Sequence, residues 1–192
     1  MSETSVLLKL KNVRGSFMQG AFEPKRDDAN PSSKPAYSIG VILGPDHPQI
    51  EEIRAAIDAV GKAQFKEAEW PKVKKVLEAQ DKLCLHDGDL KNYAGYAGNF
   101  YLSPRSYTRP IILDRSRNPI TAEDGVLYSG CYINCNVEIW AQNDPKWGKR
   151  VNCALKGIQF YRDGDALGGA APGSVDDFDD LSDTGDGEDD LA

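Results

Sequence analysis

The chain has 192 residues, of which 40% are hydrophobic and 28% charged, and this composition is typical of a folded domain, not of a wholly disordered chain. Its apolar runs, such as residues 39–43, are far shorter than the roughly 18 residues needed to span a bilayer, and Met1 is not followed by the cationic and apolar leader of a secreted protein. These features favour a soluble, cytoplasmic protein without a membrane partner.

Charge is divided unevenly along the chain. The 23 bases and 30 acids give a net charge of −7, but nine of the acids and none of the bases fall within residues 174–192. Residues 1–173 therefore carry 21 acids against 23 bases, a net charge of +2. The separation of charge between a mildly basic body and a strongly acidic tail indicates that the tail has a function. The alternative is that the tail is a simple solubilising tether.

The first elements in chain order are strands. Val6, Leu8 and Leu10 alternate with residues that include Lys9 and Lys11, the pattern of a strand with one buried face and both lysines on the other. Residues 37–43 are rich in β-branched side chains and predict a second strand. The polar, proline-containing segment 20–35 between them is predicted to be a loop.

A helical insertion follows these strands. Ile50, Ile53, Ile57 and Val60 recur every three or four residues, which predicts a helix from about residue 48 to 68. The Trp-Pro pair at residues 70–71 interrupts the pattern, and a second short helix is predicted before Gln80. The insertion is thus expected to cover about residues 48–80.

The clearest strand pattern lies at residues 131–139, where small or branched apolar residues alternate with polar ones. The same alternation continues through residues 151–155 and then changes parity at Gly157, where a β-bulge would keep both halves facing the core. Strands before and after a helical insertion favour a small barrel or sandwich over a repeated βαβ sheet.

Sequence motifs for catalysis are weak, so we expect no enzyme and no cofactor. The chain has only two histidines and none of the common nucleophile, nucleotide or zinc motifs. The segment 86–89 (HDGD) contains Asp87 and Asp89, which could hold Mg²⁺ in a metal-dependent nuclease, but a polar turn explains the same letters better. The predicted strand over residues 131–139 also argues against zinc, because cysteines four apart on a strand lie roughly 13 Å from each other. The four cysteines are therefore expected to be reduced and buried.

Aromatic and basic residues interleave between residues 93 and 117. This segment holds five aromatic residues and four arginines against one acid. Proteins that bind unpaired nucleic acid without reading its sequence need this mixture of flat rings for bases and cations for phosphates. Trp147, beside Lys149 and Arg150, offers the same pair of chemistries. The alternative is that the rings fill the core or reach water at its rim, with Phe100 inward and Tyr101 outward.

Several short motifs together resemble a family of bacteriophage single-stranded DNA-binding proteins. They are residues 128–134 (YSGCYIN), 147–151 (WGKRV), 155–160 (LKGIQF) and 163–164 (DG), followed by a Gly-rich linker and the acidic tail, with residues 109–114 similar as well. The resemblance implies an OB fold, a five-stranded Greek-key barrel, with the helical segment inserted. It also implies roles in phage DNA replication, recombination and repair, within the cytoplasm of the infected host cell.

We therefore expect an OB-fold-like, sequence-nonspecific single-stranded-DNA-binding domain over residues 1–167. Phosphates would be bound by six cations and bases would stack on five rings. The cations are Lys9, Lys11, Arg105, Arg109, Lys149 and Arg150, and the rings are Tyr93, Tyr96, Tyr101, Tyr107 and Trp147.

Residues 168–192 are expected to form a disordered Gly-rich linker and acidic tail. The tail would compete with DNA for the basic groove and recruit replication or recombination proteins once displaced. Its candidate contact residues are Asp176, Asp177, Phe178, Asp179, Asp180, Leu181, Asp189 and Asp190. The alternative is an acidic interaction protein, a DNA mimic or adaptor without DNA binding of its own. The residues leave the oligomeric state open, including a homodimer.

Overall fold

Strands from both halves of the chain build the fold, with two helices between them. The computed structural model describes residues 4–168. The helices are α1 (Ile50–Phe65) and α2 (Trp70–Ala79), and short 3-10 turns lie at Met18–Ala21, Gly88–Leu90 and Ala122–Asp124. The strands are β1 (Ser5–Ser16), β2 (Tyr37–Ser38), β3 (Gly40–Leu43), β4 (His86–Asp87), β5 (Phe100–Leu102), β6 (Arg105–Ser106), β7 (Ile111–Leu113), β8 (Tyr132–Asp144) and β9 (Gly148–Arg162).

The nine strands form one sheet in the order β2-β6-β9-β8-β1-β3-β5-β4, and β7 also pairs with β9. The predicted mainly-β fold with a helical insertion is confirmed. The sheet has more than the five strands expected, because strands of only two to four residues extend it on both sides of β1, β8 and β9. Over residues 4–168 it does not close into a barrel, since β2 and β4 are its two ends.

Two bulges keep the apolar residues of the long strands on the core side. In β9, Leu155 pairs with Val137 while Gly157 pairs with the adjacent Asn136, so one extra residue is accommodated beside Gly157 as predicted. A similar shift in β1 lies between Leu10 and Val13, and both of these side chains are buried. The parity changes in the sequence are therefore bulges, not strand ends.

The helical insertion lies where the periodicity places it. Ile50, Ile53, Ile57 and Val60 are all buried. The first helix ends at Phe65, three residues before the predicted end, and the next residue takes a left-handed φ of 67°. Helix α2 begins earlier than predicted because its proline occupies the first turn, where no amide donor is needed.

Gly61 allows the two helices to approach closely. A Cβ at Gly61 would collide with the indole of Trp70. That indole donates a hydrogen bond from Nε1 to Asp58 Oδ1 at 2.8 Å, and Lys74 Nζ lies 2.9 Å from the same oxygen. The glycine is therefore required by packing, not by backbone conformation.

The core contains the four cysteines, which are free and buried as predicted. Burial raises the pKa of Cys84 and of Cys135 to about 12, so these thiols stay protonated at neutral pH. Neither α1 nor α2, the helices of the described range, has the length and apolar character that crossing a membrane requires. The expected disorder and the candidate contacts of the acidic tail fall on residues 169–192, outside the described residues.

Candidate nucleic-acid interface

A groove of about 590 Å³ opens where the end of β1, strands β2 and β3, β6 and the loop after residue 90 meet. Aromatic and cationic side chains both line it, with one acid, Asp27, among them. The aromatic members are Phe17, Tyr93, Tyr96 and Tyr101, and the cationic members are Lys25, Arg26, Lys91 and Arg105. This is the combination of rings and positive charge that an unpaired strand of nucleic acid requires.

Two of the four rings are open to solvent. Phe17 and Tyr93 are 51% and 52% exposed, and their rings meet edge to face with centroids 5.1 Å apart. Phe17 directly follows β1 and has a left-handed conformation with φ 52°, which is uncommon for a residue other than glycine. An unusual backbone conformation at a ring that faces a groove is typical of a functional position.

Tyr96 and Tyr101, which were predicted to stack on bases, are buried in the structure. Their exposed fractions are 2% and 4%, because the two rings pack on each other with centroids 4.9 Å apart. Tyr96 also contacts Tyr93 and Phe17 from below, at 5.5 and 6.4 Å between centroids. The expectation that Tyr101 faces outward is corrected by the same burial. Both rings therefore support the exposed pair and do not offer free faces to bases.

A histidine on β4 extends this aromatic cluster. The His86 ring stacks on Tyr101 with centroids 4.9 Å apart, and His86 Nδ1 lies 2.6 Å from Asp81 Oδ1. Burial raises the pKa of Tyr101 to about 12, and the Asp81 carboxylate adds to the rise. Burial also raises the pKa of Tyr96, although its hydrogen bond with Ser16 acts in the opposite direction. The two buried phenols are thus neutral at physiological pH and add no negative charge beneath the groove.

The cations of the groove come from β6, from the loop before β2 and from the loop after residue 90. Arg105 lies in β6, and its guanidinium carbon is 5.6 Å from the ring centre of Tyr107, which is 58% exposed. Lys34 Nζ lies 5.2 Å from the same ring, so Tyr107 extends the groove's aromatic and basic character along β6. Arg26 is held in the loop by its contact with the Ser33 carbonyl oxygen at 2.9 Å.

The remaining predicted residues lie outside the groove. Arg109 is exposed between β6 and β7. Lys9 and Lys11 are exposed on β1, where Gln49 binds their backbone atoms. None of these three cations lines the groove.

The hairpin between β8 and β9 presents a separate aromatic and basic group. Trp147 is 61% exposed at its tip, with Lys146 Nζ 4.8 Å from the indole centre. Asp144 shapes the turn, because its Oδ1 accepts hydrogen bonds from the amides of residues 146 and 147 at 2.8 Å each. Lys149 Nζ lies 5.4 Å from the ring centre of Phe65, and Arg150 is exposed at the start of β9. This hairpin lies beside α2, not in the groove.

Four of the aromatic and cationic lining residues were not predicted from sequence. Lys25 and Arg26 fall in the segment predicted only as a loop, and Lys91 precedes the aromatic segment by two residues. Phe17 is a single aromatic residue just after an alternating strand. The adjacency of two basic residues in the loop was a usable signal for Lys25 and Arg26, whereas nothing in the spacing indicated Phe17.

The candidate metal segment is a turn in the structure. Asp87 accepts a hydrogen bond from the Asp89 amide at 2.9 Å, and Asp89 accepts one from the Gly98 amide at 2.8 Å. Both carboxylates are therefore used to hold the backbone around the 3-10 turn at Gly88–Leu90.

A β-rich domain with an open groove of rings and cations defines a candidate class, that of proteins binding unpaired nucleic acid. The family model described as the ssDNA-binding protein of Enterobacter phage Enc34 matches residues 6–191. The chain belongs to this family of phage single-stranded DNA-binding proteins, and the resemblance seen in its motifs is confirmed.

Individual relatives are similar over most of the chain. A putative protein p50 of Acyrthosiphon pisum secondary endosymbiont phage 1 is 40% identical over 177 residues, which cover 91% of this chain and 94% of that protein. The solved single-stranded DNA-binding protein from bacteriophage Enc34 in complex with ssDNA matches at 25% identity with a TM-score of 0.68, covering 84% of this chain and 89% of that one. The single-stranded DNA-binding protein gp2.5 of bacteriophage T7, at 11% identity and a TM-score of 0.52, covers 100% of this chain and 98% of its own and shares the fold.

Proposed function

We propose that this protein binds single-stranded DNA without reading its sequence, and that it acts in phage DNA replication, recombination and repair in the cytoplasm of the infected host cell. The observation that carries the proposal is the groove in which the exposed rings of Phe17 and Tyr93 lie among four cations. Family membership and a solved relative described in complex with ssDNA support the same ligand.

Each part of the groove has a distinct role in this proposal. Phe17 and Tyr93 stack on bases, and stacking is insensitive to sequence because every base has a flat face. Arg105 and the other groove cations bind phosphates and release counterions, which makes binding dependent on salt. Tyr96 and Tyr101 hold the exposed rings in place from below.

A longer strand would continue from the groove to the hairpin. Arg105 pairs with Ala154 of β9, and Arg150 lies four residues earlier on that strand, roughly 13 Å away. The path proposed here therefore runs from Tyr93 past Tyr107 and along β9 towards Trp147. Arg109, Lys149, Lys9 and Lys11 would then make outer phosphate contacts.

The acidic tail is proposed to regulate this binding. Residues 1–167 form the DNA-binding domain, and the nine carboxylates of residues 174–192 compete with phosphates for its cations. Once displaced by DNA, the tail recruits replication or recombination proteins. Deleting residues 174–192 should tighten DNA binding most at low salt, where charges are least screened.

Fluorescence anisotropy with a labelled mixed-sequence single strand tests the function directly. The full chain should bind the single strand more tightly than duplex DNA, and binding should weaken as salt rises. Arg105→Glu should weaken binding, whereas Lys75→Glu, a charge reversal on the exposed face of α2, should not. Absence of binding by the full chain and by residues 1–173 would favour the alternative, an acidic interaction protein.

A further inference from the structure

A second groove, separate from the aromatic one, lies between α2 and the start of β9. It has a volume of about 350 Å³. Its apolar surface comes from one face of α2, and lysines from α2, from the turn after it and from β9 surround that surface. The apolar residues are Val73, Val76 and Leu77, and the cations are Lys72, Lys82 and Lys149.

The apolar surface of this α2 groove is open. Val76 is 53% exposed, which is a large fraction for a valine on a helix that packs against the core, whereas Leu77 is buried and forms the floor. No acidic residue is among those that line the groove within residues 4–168. The groove therefore offers apolar contact and positive charge together.

The three lysines lack ionic partners in the described part of the chain. No carboxylate of residues 4–168 comes within 4.0 Å of Lys72, Lys82 or Lys149, whereas the neighbouring Lys74 pairs with Asp58 at 2.9 Å. Lys149 instead places its ammonium 5.4 Å from the ring centre of Phe65, over apolar surface. Cations arranged in this way would suit a ligand that carries both acids and an apolar side chain.

One segment of this chain has that chemistry. Residues 176–181 (DDFDDL) place two pairs of aspartates on either side of Phe178 and end on Leu181. We propose that residues 176–181 of the tail dock in the α2 groove, with Phe178 and Leu181 against Val73 and Val76 and the aspartates facing the three lysines. A DNA strand fits less well, because the groove lining in the described residues includes no aromatic ring on which a base could stack.

The length of chain favours a segment supplied by a neighbouring copy over one from the same molecule. The described chain ends beside Ser129, where the amide of residue 167 donates to the Ser129 carbonyl oxygen. Ten residues separate Gly168 from Phe178, and they span at most about 35 Å. The 13 residues from Lys149 to Arg162 would cover roughly 43 Å if β9 were straight. The chain's own Phe178 falls short of that distance, so the segment that docks is supplied by a second copy.

This inference rests in part on the proposed function, because Lys149 also belongs to the proposed DNA path. Docking of the tail would occupy Lys149 and withdraw it from the phosphates. The competition between tail and DNA is thereby placed at the hairpin end of the path, and the aromatic groove stays free.

A labelled peptide of residues 174–183 tests the docking. It is titrated by fluorescence anisotropy into the full chain carrying Phe178→Ala and Leu181→Ala, which disables the chain's own segment. Val76→Glu and Lys72→Glu, each added to that chain, should weaken peptide binding at least tenfold, because they place negative charge in or beside the groove. Lys75→Glu reverses a charge on the same helix outside the groove lining and should change the affinity less than twofold. Circular dichroism verifies that each variant is folded.

The same variants separate this inference from the proposed function. Equal peptide binding with and without Val76→Glu would overturn the docking, as would loss of peptide binding through Arg105→Glu alone. A parallel titration with single-stranded DNA gives the independent result: peptide binding without DNA binding refutes the proposed function and leaves the docking intact. If Val76→Glu weakens DNA binding and spares the peptide, the groove serves DNA and the docking is wrong. Self-association of the wild-type chain that rises with protein concentration would identify docking between two copies.

Discussion

Truncating Tyr93 to alanine should weaken single-stranded DNA binding far more than it weakens the fold. The ring is 52% exposed and stands at the mouth of the groove. Removal of a ring on which a base stacks costs about 1–3 kcal/mol, which corresponds to a loss of about 5- to 150-fold in Kd. Phe17→Ala should have a similar effect. Because the two rings are in edge contact at 5.1 Å, the double variant should show a coupling of about 0.5–1.5 kcal/mol.

Anisotropy titration at a fixed salt concentration measures these losses. Tyr93→Phe keeps the ring and should bind like the wild type, since stacking uses the ring face and not the hydroxyl group. Tyr161→Ala removes an aromatic ring of 39% exposure that does not line the groove, and it should be neutral. The reasoning would be refuted if Tyr93→Ala bound within twofold of the wild type, or if Tyr161→Ala caused an equal loss.

Three further predictions concern the packing of Tyr101, the charge of Arg105 and the pH dependence of stability. Tyr101→Ala removes a buried ring and should lower the free energy of unfolding by about 3–5 kcal/mol, measured by urea denaturation; a loss below 1 kcal/mol would contradict its packing role. Arg105→Gln should reduce the slope of log K against log salt by about 0.7, the value for one phosphate contact on a single strand, and an unchanged slope would exclude that contact. Hydrogen bonds from Lys156 and then from Ser5 lower the pKa of Glu138, so its carboxylate stabilises the fold above its unfolded pKa and this contribution is lost as pH falls through the folded pKa. Glu138→Gln should therefore be less stable than the wild type at pH 7, by up to about 1 kcal/mol for a partly exposed pair, and equally stable in acid; a difference that persists in acid would contradict the assignment.

Periodic segments could be predicted from sequence, because burial on one face produces a repeating pattern. The alternation of apolar and polar residues over 131–139 predicted a strand, which the structure contains as β8. The three-to-four spacing of Ile50, Ile53 and Ile57 predicted a helix, which the structure contains as α1. The change of parity at Gly157 also predicted a bulge correctly. The short strands could not be found in the same way, since two or three residues are too few to show any period.

The site was predicted in composition but not in orientation. The segment after residue 90 does supply rings to the groove, yet Tyr96 and Tyr101 are buried in a tertiary cluster that no local spacing reveals. Phe17, the left-handed residue that follows β1, contacts Tyr93 of the distant loop. Contacts between residues about 80 positions apart determine which rings face solvent, and a single sequence does not encode those contacts in any local pattern.

Photocross-linking tests the central claim most directly. A single strand containing bromodeoxyuridine is irradiated with the full chain, and the adducts are mapped by mass spectrometry. The account predicts adducts at Phe17 and Tyr93, with none at the buried Tyr96 and Tyr101. Adducts confined to Trp147, with the groove rings unmodified, would place the DNA on the hairpin and contradict the proposed interface.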